Sequence, residues 1–211
     1  MGCPLALRYW IAVTLILLSS FLLLWTGYRR KQITPFSTPQ TMTLATFACL
    51  LYVAALPWRL GLSRFFLGGF IITVPYTAIL LVGLRVVPRF GAAALMILGY
   101  GLLSQLVGGG INPLWWPEYL AKGIVLEGLC LLGGDYGRSR MSAIWIGLVY
   151  GGFGYAFFYL VSAPFIWHIH YDLWFVAWKS LQGIVAGALG AGIIGFDIAG
   201  RVERVAPQAS F

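Results

Sequence analysis

Charged side chains are scarce in this chain. Only 9% of its 211 residues are Asp, Glu, Lys or Arg, whereas 60% belong to the apolar and aromatic set. A soluble domain carries about 25% charged residues, so a water-soluble globule is excluded. One membrane-spanning helix takes about 20 residues, which leaves room for roughly six to eight spans and for no sizeable soluble domain. The composition predicts an all-α polytopic membrane protein.

Signatures of catalysis and of metal binding are also absent. The three cysteines, Cys3, Cys49 and Cys130, are too few and too scattered for a disulfide framework or a zinc site. The chain contains no Walker A, Gly-x-Ser-x-Gly, His-Glu-x-x-His or Cys-x-x-Cys motif. Its Lys and Arg residues are spread between apolar runs, so the net charge of +8 does not indicate a nucleic-acid partner. We expect a protein that is not an enzyme and that holds no cofactor or resident metal.

Seven apolar segments follow one another along the chain. They run roughly over 7–27, 41–58, 66–87, 90–108, 117–134, 142–164 and 171–198. The sequence therefore predicts an N-terminal transmembrane anchor helix within 1–31, a polar linker over 32–40, a six-helix membrane domain over 41–205 and a tail over 206–211.

The basic residues between the segments predict an orientation. Counting alternate loops places three of them on one side, namely Arg8, Arg59 and Arg64. The other side receives nine, namely Arg29, Arg30, Lys31, Arg85, Arg89, Arg138, Arg140, Arg201 and Arg204. Basic flanks face the cytoplasm. We expect a multi-pass cell-membrane protein with its N-terminus outside and its C-terminus in the cytoplasm.

Aromatic residues gather in and beside the two loops that lack Lys and Arg, 108–117 and 164–172. They are Trp115, Trp116, Tyr119, Trp167, Tyr171, Trp174 and Trp178. A belt at the lipid headgroups is one interpretation, but a belt marks both faces of a membrane. We therefore expect an outward-facing aromatic pocket. Its polar groups are predicted to be Gln105, Asn112, Glu118, His168, His170 and Asp172.

Two ionisable residues are predicted to lie deep in the bilayer. Glu127 and Lys179 stand roughly 15 Å and 12 Å into their segments at 1.5 Å per residue. Since buried charges are costly unless paired, we expect the two to neutralise each other, either as a structural link or as part of a ligand cavity. Glu118 and Lys122 have the i,i+4 spacing of an interfacial salt bridge.

The run His168-x-His170-x-Asp172 could place three ligands on one side of an extended loop. Two histidines and a carboxylate suit a divalent transition metal. The spacing is short and the chain has no other histidine. Ordinary pocket or interface histidines are therefore the preferred interpretation, and an intramembrane metal enzyme is a minor alternative.

Small residues recur at four-residue spacing in the last segment. Gly183, Gly187 and Gly190 belong to this face, and Ala45 and Cys49 form a weaker step in the second segment. Such faces let another helix approach to backbone contact. We expect them to contact a partner helix, and the spacing leaves open whether that helix is internal or belongs to another subunit.

Five stretches of the chain form a further pattern: Phe90-Gly-Ala-Ala-Ala-Leu, Gly109-Gly-Ile-Asn112-Pro, the helix with Gly123 and Glu127, Asp135-Tyr-Gly-Arg-Ser, and Trp178-Lys-Ser-Leu-Gln-Gly183-Ile-Val-Ala-Gly187-Ala-Leu-Gly190. Through these stretches, over roughly 41–205, the chain resembles the substrate-binding S components of energy-coupling factor (ECF) vitamin transporters, in particular the thiamine/hydroxymethylpyrimidine branch. That branch carries an acidic and a basic residue where Glu127 and Lys179 stand here.

The resemblance implies a six-helix protein, here with one extra N-terminal transmembrane helix, that binds a small vitamin at its outer mouth. In that family the S component topples in the membrane, driven by a transmembrane scaffold (T) subunit and two cytoplasmic ATPases. An Ala-x-x-x-Ala motif contacts the scaffold, where Ala45 and Cys49 stand here. The N-terminal Met-His segment of metal-specific members is absent, which disfavours cobalt or nickel uptake. The alternative is a structural subunit of a larger membrane complex without a small-molecule ligand.

Overall fold

The computed structural model describes residues 5–62, 65–108 and 110–205, and within these ranges the regular structure is entirely helical. Five of the seven long helices are apolar and long enough to cross a membrane, and a sixth, α4, is apolar but shorter. The predicted multi-pass all-α fold is confirmed. The helices are α1 (Leu5–Arg29), α2 (Thr38–Arg59), α3 (Gly68–Val86), α4 (Ala92–Val107), α5 (Trp116–Gly133), α6 (Arg140–Trp167) and α7 (Leu173–Arg204).

The linker before α2 is shorter than predicted, because the helix begins at Thr38 rather than at residue 41. The Ser37 hydroxyl accepts a hydrogen bond from the Gln40 amide, and the Gln40 side chain accepts one from the Ser37 amide. This reciprocal capping box, with Pro39 in the first turn, satisfies amides that would otherwise lack partners. The predicted tail over 206–211 and Arg64 lie outside the described residues.

Short connections make successive helices antiparallel, so the bundle has two different ends. At one end, which we call the basic end, α1, α3, α5 and α7 finish. At the other, the cavity end, α2, α4 and α6 finish. An apolar core fills the half of the bundle nearer the basic end. Its fully buried side chains include Leu81, Leu84, Met96, Ile97 and Leu126.

Glycines allow the backbones of α6 and α7 to pack in direct contact. A Cβ atom on Gly147 would collide with the carbonyl oxygen of Gly187, and one on Gly151 would collide with that of Gly183. Gly190 meets the α3 backbone at Val74 in the same way. Of the two alternatives that the spacing left open, the structure favours an internal helix, because helices of the same chain already cover this face.

The second small-residue step has a different environment. Ala45 and Cys49 both lie exposed on α2. They remain available to a helix outside the described chain.

Helix α6 widens near its end into a π-helical turn over Phe158–Ser162. Pro164 follows two residues later and lacks the N–H that an α-helical ladder requires. Such a turn accommodates the interruption and redirects the side chains around it. Phe158 and Trp167 consequently both border the cavity described below.

Helix α1 lies at the periphery, against α5 and the end of α6. Most of its apolar side chains, for example Leu18 and Phe21, are exposed, as expected of a lipid-facing helix. Tyr9 is an exception. Its hydroxyl donates to the Leu114 carbonyl over 2.8 Å, and its ring stacks on Phe165. This residue ties α1 to two segments beside the cavity end.

The turn between α5 and α6 is organised by Asp135. Its carboxylate accepts hydrogen bonds from the amides of Gly137 and Ser139, both over 3.1 Å. Partial burial alone raises the pKa of this carboxyl, but the hydroxyls of Ser142 and Ser139 and the two amides outweigh it and hold the pKa of Asp135 below its usual value.

An ion pair at the basic end joins α3 to the last turns of α7. Arg85 is buried, donates from Nε and Nη2 to the two carboxylate oxygens of Glu203, and lies over the Phe196 ring. A second pair, Arg140 with Asp197 at 3.4 Å, lies nearby with both side chains more than half exposed.

Replacing Glu203 by glutamine is expected to lower the free energy of unfolding by about 2 kcal/mol, because it leaves the buried Arg85 without its counter-charge. The matched change Asp197→Asn breaks the exposed pair and is expected to cost about 0.5 kcal/mol or less. Thermal unfolding of the two variants in the same detergent measures the difference. Equal losses would contradict the structural role assigned to Arg85.

Candidate functional site

A cavity of about 460 Å³ opens at the cavity end of the bundle, between α2, α3, α4, α5 and α6. Aromatic side chains dominate its lining: Trp58, Tyr76, Tyr100, Trp115, Tyr119, Tyr150, Tyr155, Phe158 and Trp167. The polar groups among the described lining residues are Arg59, Thr73, Ser104, Gln105, Asn112, Glu118 and Lys122.

The structure brings part of the predicted pocket together. The predicted residues that border the cavity are Gln105, Asn112, Trp115, Glu118, Tyr119 and Trp167. All of them come from the end of α4, the start of α5 and the segment between these helices, or from the end of α6. The sequence interpretation was therefore most accurate where a predicted loop joins two cavity-forming helices.

The aromatic residues at the start of α7 lie elsewhere. Trp174 is 80% exposed, while Tyr171 packs on Tyr159 and Trp178 stacks on Phe66. Trp116 lies beside Tyr119 but does not border the cavity itself. Trp174 is in the position expected of a lipid-facing belt residue, because the face of α7 that packs inward carries other residues.

The predicted Glu127–Lys179 pair is wrong. The Glu127 carboxylate accepts a hydrogen bond from the Gly91 amide over 2.9 Å, where it caps the start of α4. Lys179 donates to the Phe65 carbonyl over 3.2 Å.

Gly91 follows α3 and Phe65 precedes it, so the two contacts involve segments that flank opposite ends of this 19-residue helix, which is ~28 Å long. Neither Glu127 nor Lys179 borders the cavity. Counting residues from the start of each segment predicted the wrong partners for Glu127 and Lys179. The helices begin at different heights in the bundle, and the two residues lie on helix faces that do not meet.

The residues of the histidine run do not border the cavity. His168, His170 and Asp172 are exposed between α6 and α7. His168 adopts a left-handed backbone conformation (φ 56°), which breaks the extended alternation that a three-ligand arrangement needs. Over the described part of the chain, no three His, Cys, Asp or Glu side chains come together as a metal-binding group.

The floor of the cavity is a series of four tyrosines, of which the sequence analysis predicted only Tyr119. Tyr76 and Tyr150 stack with ring centroids 6.2 Å apart, and the Tyr150 hydroxyl donates to that of Tyr76 over 3.4 Å. Tyr100 contacts Tyr76 edge-on at 5.4 Å and Tyr119 at 5.8 Å. Four successive helices thus contribute one tyrosine each. Tyrosines inside apolar segments were the available signal, since a buried phenol needs a hydrogen-bond partner.

Two cations and one anion border the cavity in the described chain. Lys122 and Glu118 form the predicted i,i+4 ion pair, which faces the cavity rather than the lipid headgroups. Arg59 donates to the carbonyl and the hydroxyl of Ser104 and to the Tyr52 hydroxyl. The sequence analysis counted Arg59 only among the basic residues between the apolar segments. In the structure it lies at the rim of the cavity.

This arrangement is suited to binding. Flat aromatic walls can hold a ring by stacking, and a few polar groups can fix its orientation.

No family model, no curated protein and no solved structure matches this chain.

Proposed function

We propose that the chain is the substrate-capture subunit of an ATP-driven vitamin uptake transporter. Its ligand is a small heteroaromatic vitamin or precursor of the thiamine/hydroxymethylpyrimidine type. The observation that carries the proposal is the aromatic cavity of about 460 Å³ at one end of the helix bundle. Small-molecule sites occupy about 300–1,000 Å³ and combine apolar walls with a few polar groups.

The charge distribution supports an outward-facing mouth. The cavity end is opposite the basic end, which carries Arg85, Arg138 and Arg201 among others. Under the positive-inside rule the basic end faces the cytoplasm of the cell. The proposed orientation has the N-terminus outside and the C-terminus inside.

Energy coupling requires other subunits, because the sequence has no nucleotide-binding motif. The proposed partners are a transmembrane scaffold subunit and two cytoplasmic ATPases, as in the ECF transporters that the sequence resembles. The exposed step of Ala45 and Cys49 on α2 is suited to a scaffold helix. In this proposal the chain itself binds and does not catalyse.

The rival proposal, a structural subunit without a ligand, depended on the small-residue face of α7. That face is buried against α6 and α3. It therefore no longer supports the rival.

Intrinsic tryptophan fluorescence tests the proposal, because Trp58, Trp115 and Trp167 border the cavity. The purified chain in detergent is titrated with thiamine, hydroxymethylpyrimidine, riboflavin and biotin, with free tryptophan as the control for absorbed light. We expect saturable quenching by one of them at nanomolar to low-micromolar concentration. Flat titrations of folded protein across the set would contradict the proposal and favour the structural subunit.

A further inference from the structure

Two buried polar atoms beside the cavity have no hydrogen-bond partner. They are Oε2 of Glu118 and Nε2 of Gln105. Both residues border the cavity, and each is only 5% exposed. Buried polar groups are nearly always satisfied in native proteins, so an orphaned pair at one cavity indicates a missing partner.

The other atom of each side chain is already engaged. Glu118 Oε1 accepts from Lys122 Nζ. Gln105 Oε1 accepts from the Asn112 amide over 2.7 Å. Because an amide N–H can only donate, this bond identifies the oxygen of Gln105 and leaves its NH₂ group as the unused donor. Two residues that line the cavity therefore carry one unused acceptor and one unused donor.

The ion pair with Lys122 affects what Glu118 can bind. Since Lys122 already balances the carboxylate charge, a ligand needs no positive charge to contact Oε2. It needs an N–H or O–H donor. A ligand that presented only acceptors, such as a carboxylate, would meet lone pairs at Glu118 and be repelled.

The walls determine the shape of the ligand. Tyr76, Tyr100 and Tyr150 form a floor of flat rings, and Trp115 and Trp58 stand at the sides. A planar ring gains the most from such surfaces. The polar pair and the aromatic walls thus set independent requirements on one ligand.

Resting on the proposed function, we infer that the cavity selects a flat nitrogen heterocycle with both a donor and an acceptor on its edge. The donor, an amino group or a ring N–H, binds Glu118 Oε2. The acceptor, a ring nitrogen or carbonyl oxygen, binds Gln105 Nε2.

Ligand analogues test the inference on the unaltered chain. The probes are hydroxymethylpyrimidine and its analogue with methyl in place of the amino group, together with riboflavin and its N3-methyl derivative. We expect the intact member of one pair to bind, and loss of the donor to weaken its binding at least tenfold in calorimetric titration. Equal affinities within the binding pair would overturn the inference.

Two isosteric variants test whether Glu118 Oε2 and Gln105 Nε2 are the atoms that contact the ligand. Glu118→Gln keeps Oε1 for Lys122 but replaces the free acceptor by an NH₂ group, and Gln105→Glu keeps Oε1 for Asn112 but removes the free donor. Each is expected to weaken binding of the intact probe at least tenfold. In the Glu118→Gln variant, the analogue that lacks the donor should then bind less than threefold more weakly than the intact probe, because the protein partner of that donor is gone.

Gln40→Glu is the matched control. Gln40 is also buried and its Oε1 also accepts from a backbone amide, that of Ser37, but it lies in the α2 capping box at the basic end. The affinity of the Gln40→Glu variant for the probe should equal that of the unaltered chain.

The outcomes separate the two proposals. Binding of a probe with unchanged affinity in both cavity variants overturns the donor–acceptor inference and leaves the capture function standing. Absence of binding across the whole vitamin set overturns the capture function itself. If a cavity variant does not fold, the analogue comparison on the unaltered chain still decides the inference.

Discussion

Replacing Gly187 by alanine is expected to destabilise the isolated chain by about 2 kcal/mol or more, although alanine is the better helix former. The added Cβ would occupy the position of the Gly147 carbonyl oxygen on α6. Backbone atoms cannot rotate out of the way as a flexible side chain does. The two helices would have to separate along the whole Gly147/Gly151 and Gly183/Gly187 contact.

Gly128 on α5 provides the matched control. A Cβ there meets no atom within 4 Å, so Gly128→Ala should leave the thermal unfolding midpoint unchanged or raise it. Gly187→Leu is expected to abolish recovery of folded protein. The chain is measured alone in detergent, and an intact unfolding midpoint for Gly187→Ala would show that the glycine face does not pack within the chain.

Replacing Trp115 by alanine is expected to weaken ligand binding tenfold or more. Trp115 borders the cavity and holds Phe158 and Trp167 in place, with ring centroids 6.2 Å and 5.3 Å away. The change removes both a wall and the support of two neighbours. Truncated aromatic anchors at the centre of a binding site typically cost about 2 kcal/mol or more.

Trp174→Ala removes the same side chain from the exposed start of α7. It is expected to leave the affinity within twofold. Isothermal titration with the vitamin that binds the unaltered chain measures both variants without relying on the tryptophan signal. Comparable losses in the two variants would show that binding does not take place in this cavity.

Local rules predicted local features correctly. The seven helices were predictable because each hydrophobic run meets the bilayer independently of the others. The Glu118–Lys122 pair was predictable because residues four apart on a helix are neighbours. The start of α2 was missed, although Ser37 and Gln40 carry the spacing of a capping box. That error lies in the interpretation and not in the information the sequence holds.

Contacts between helices could not be predicted in the same way. Glu127 and Lys179 were paired because their charges and counted depths agreed, yet they contact segments that flank opposite ends of α3. Tyr76 and Tyr150 are 74 residues apart and form a hydrogen bond only because α3 and α6 both direct these side chains into the bundle. Neither the level nor the rotation of a helix is contained in its own hydropathy.

The sequence alone determined the class of protein, the apolar helices of the described chain and some of the residues that border the cavity, because these depend on composition and on neighbours along the chain. Only the tertiary structure decided that Gly187 packs against the chain's own α6, that tyrosines from four helices form one floor, and that Glu118 and Gln105 share a cavity. The physical reason is that rotation and depth of each helix are set by the packing of all its neighbours at once.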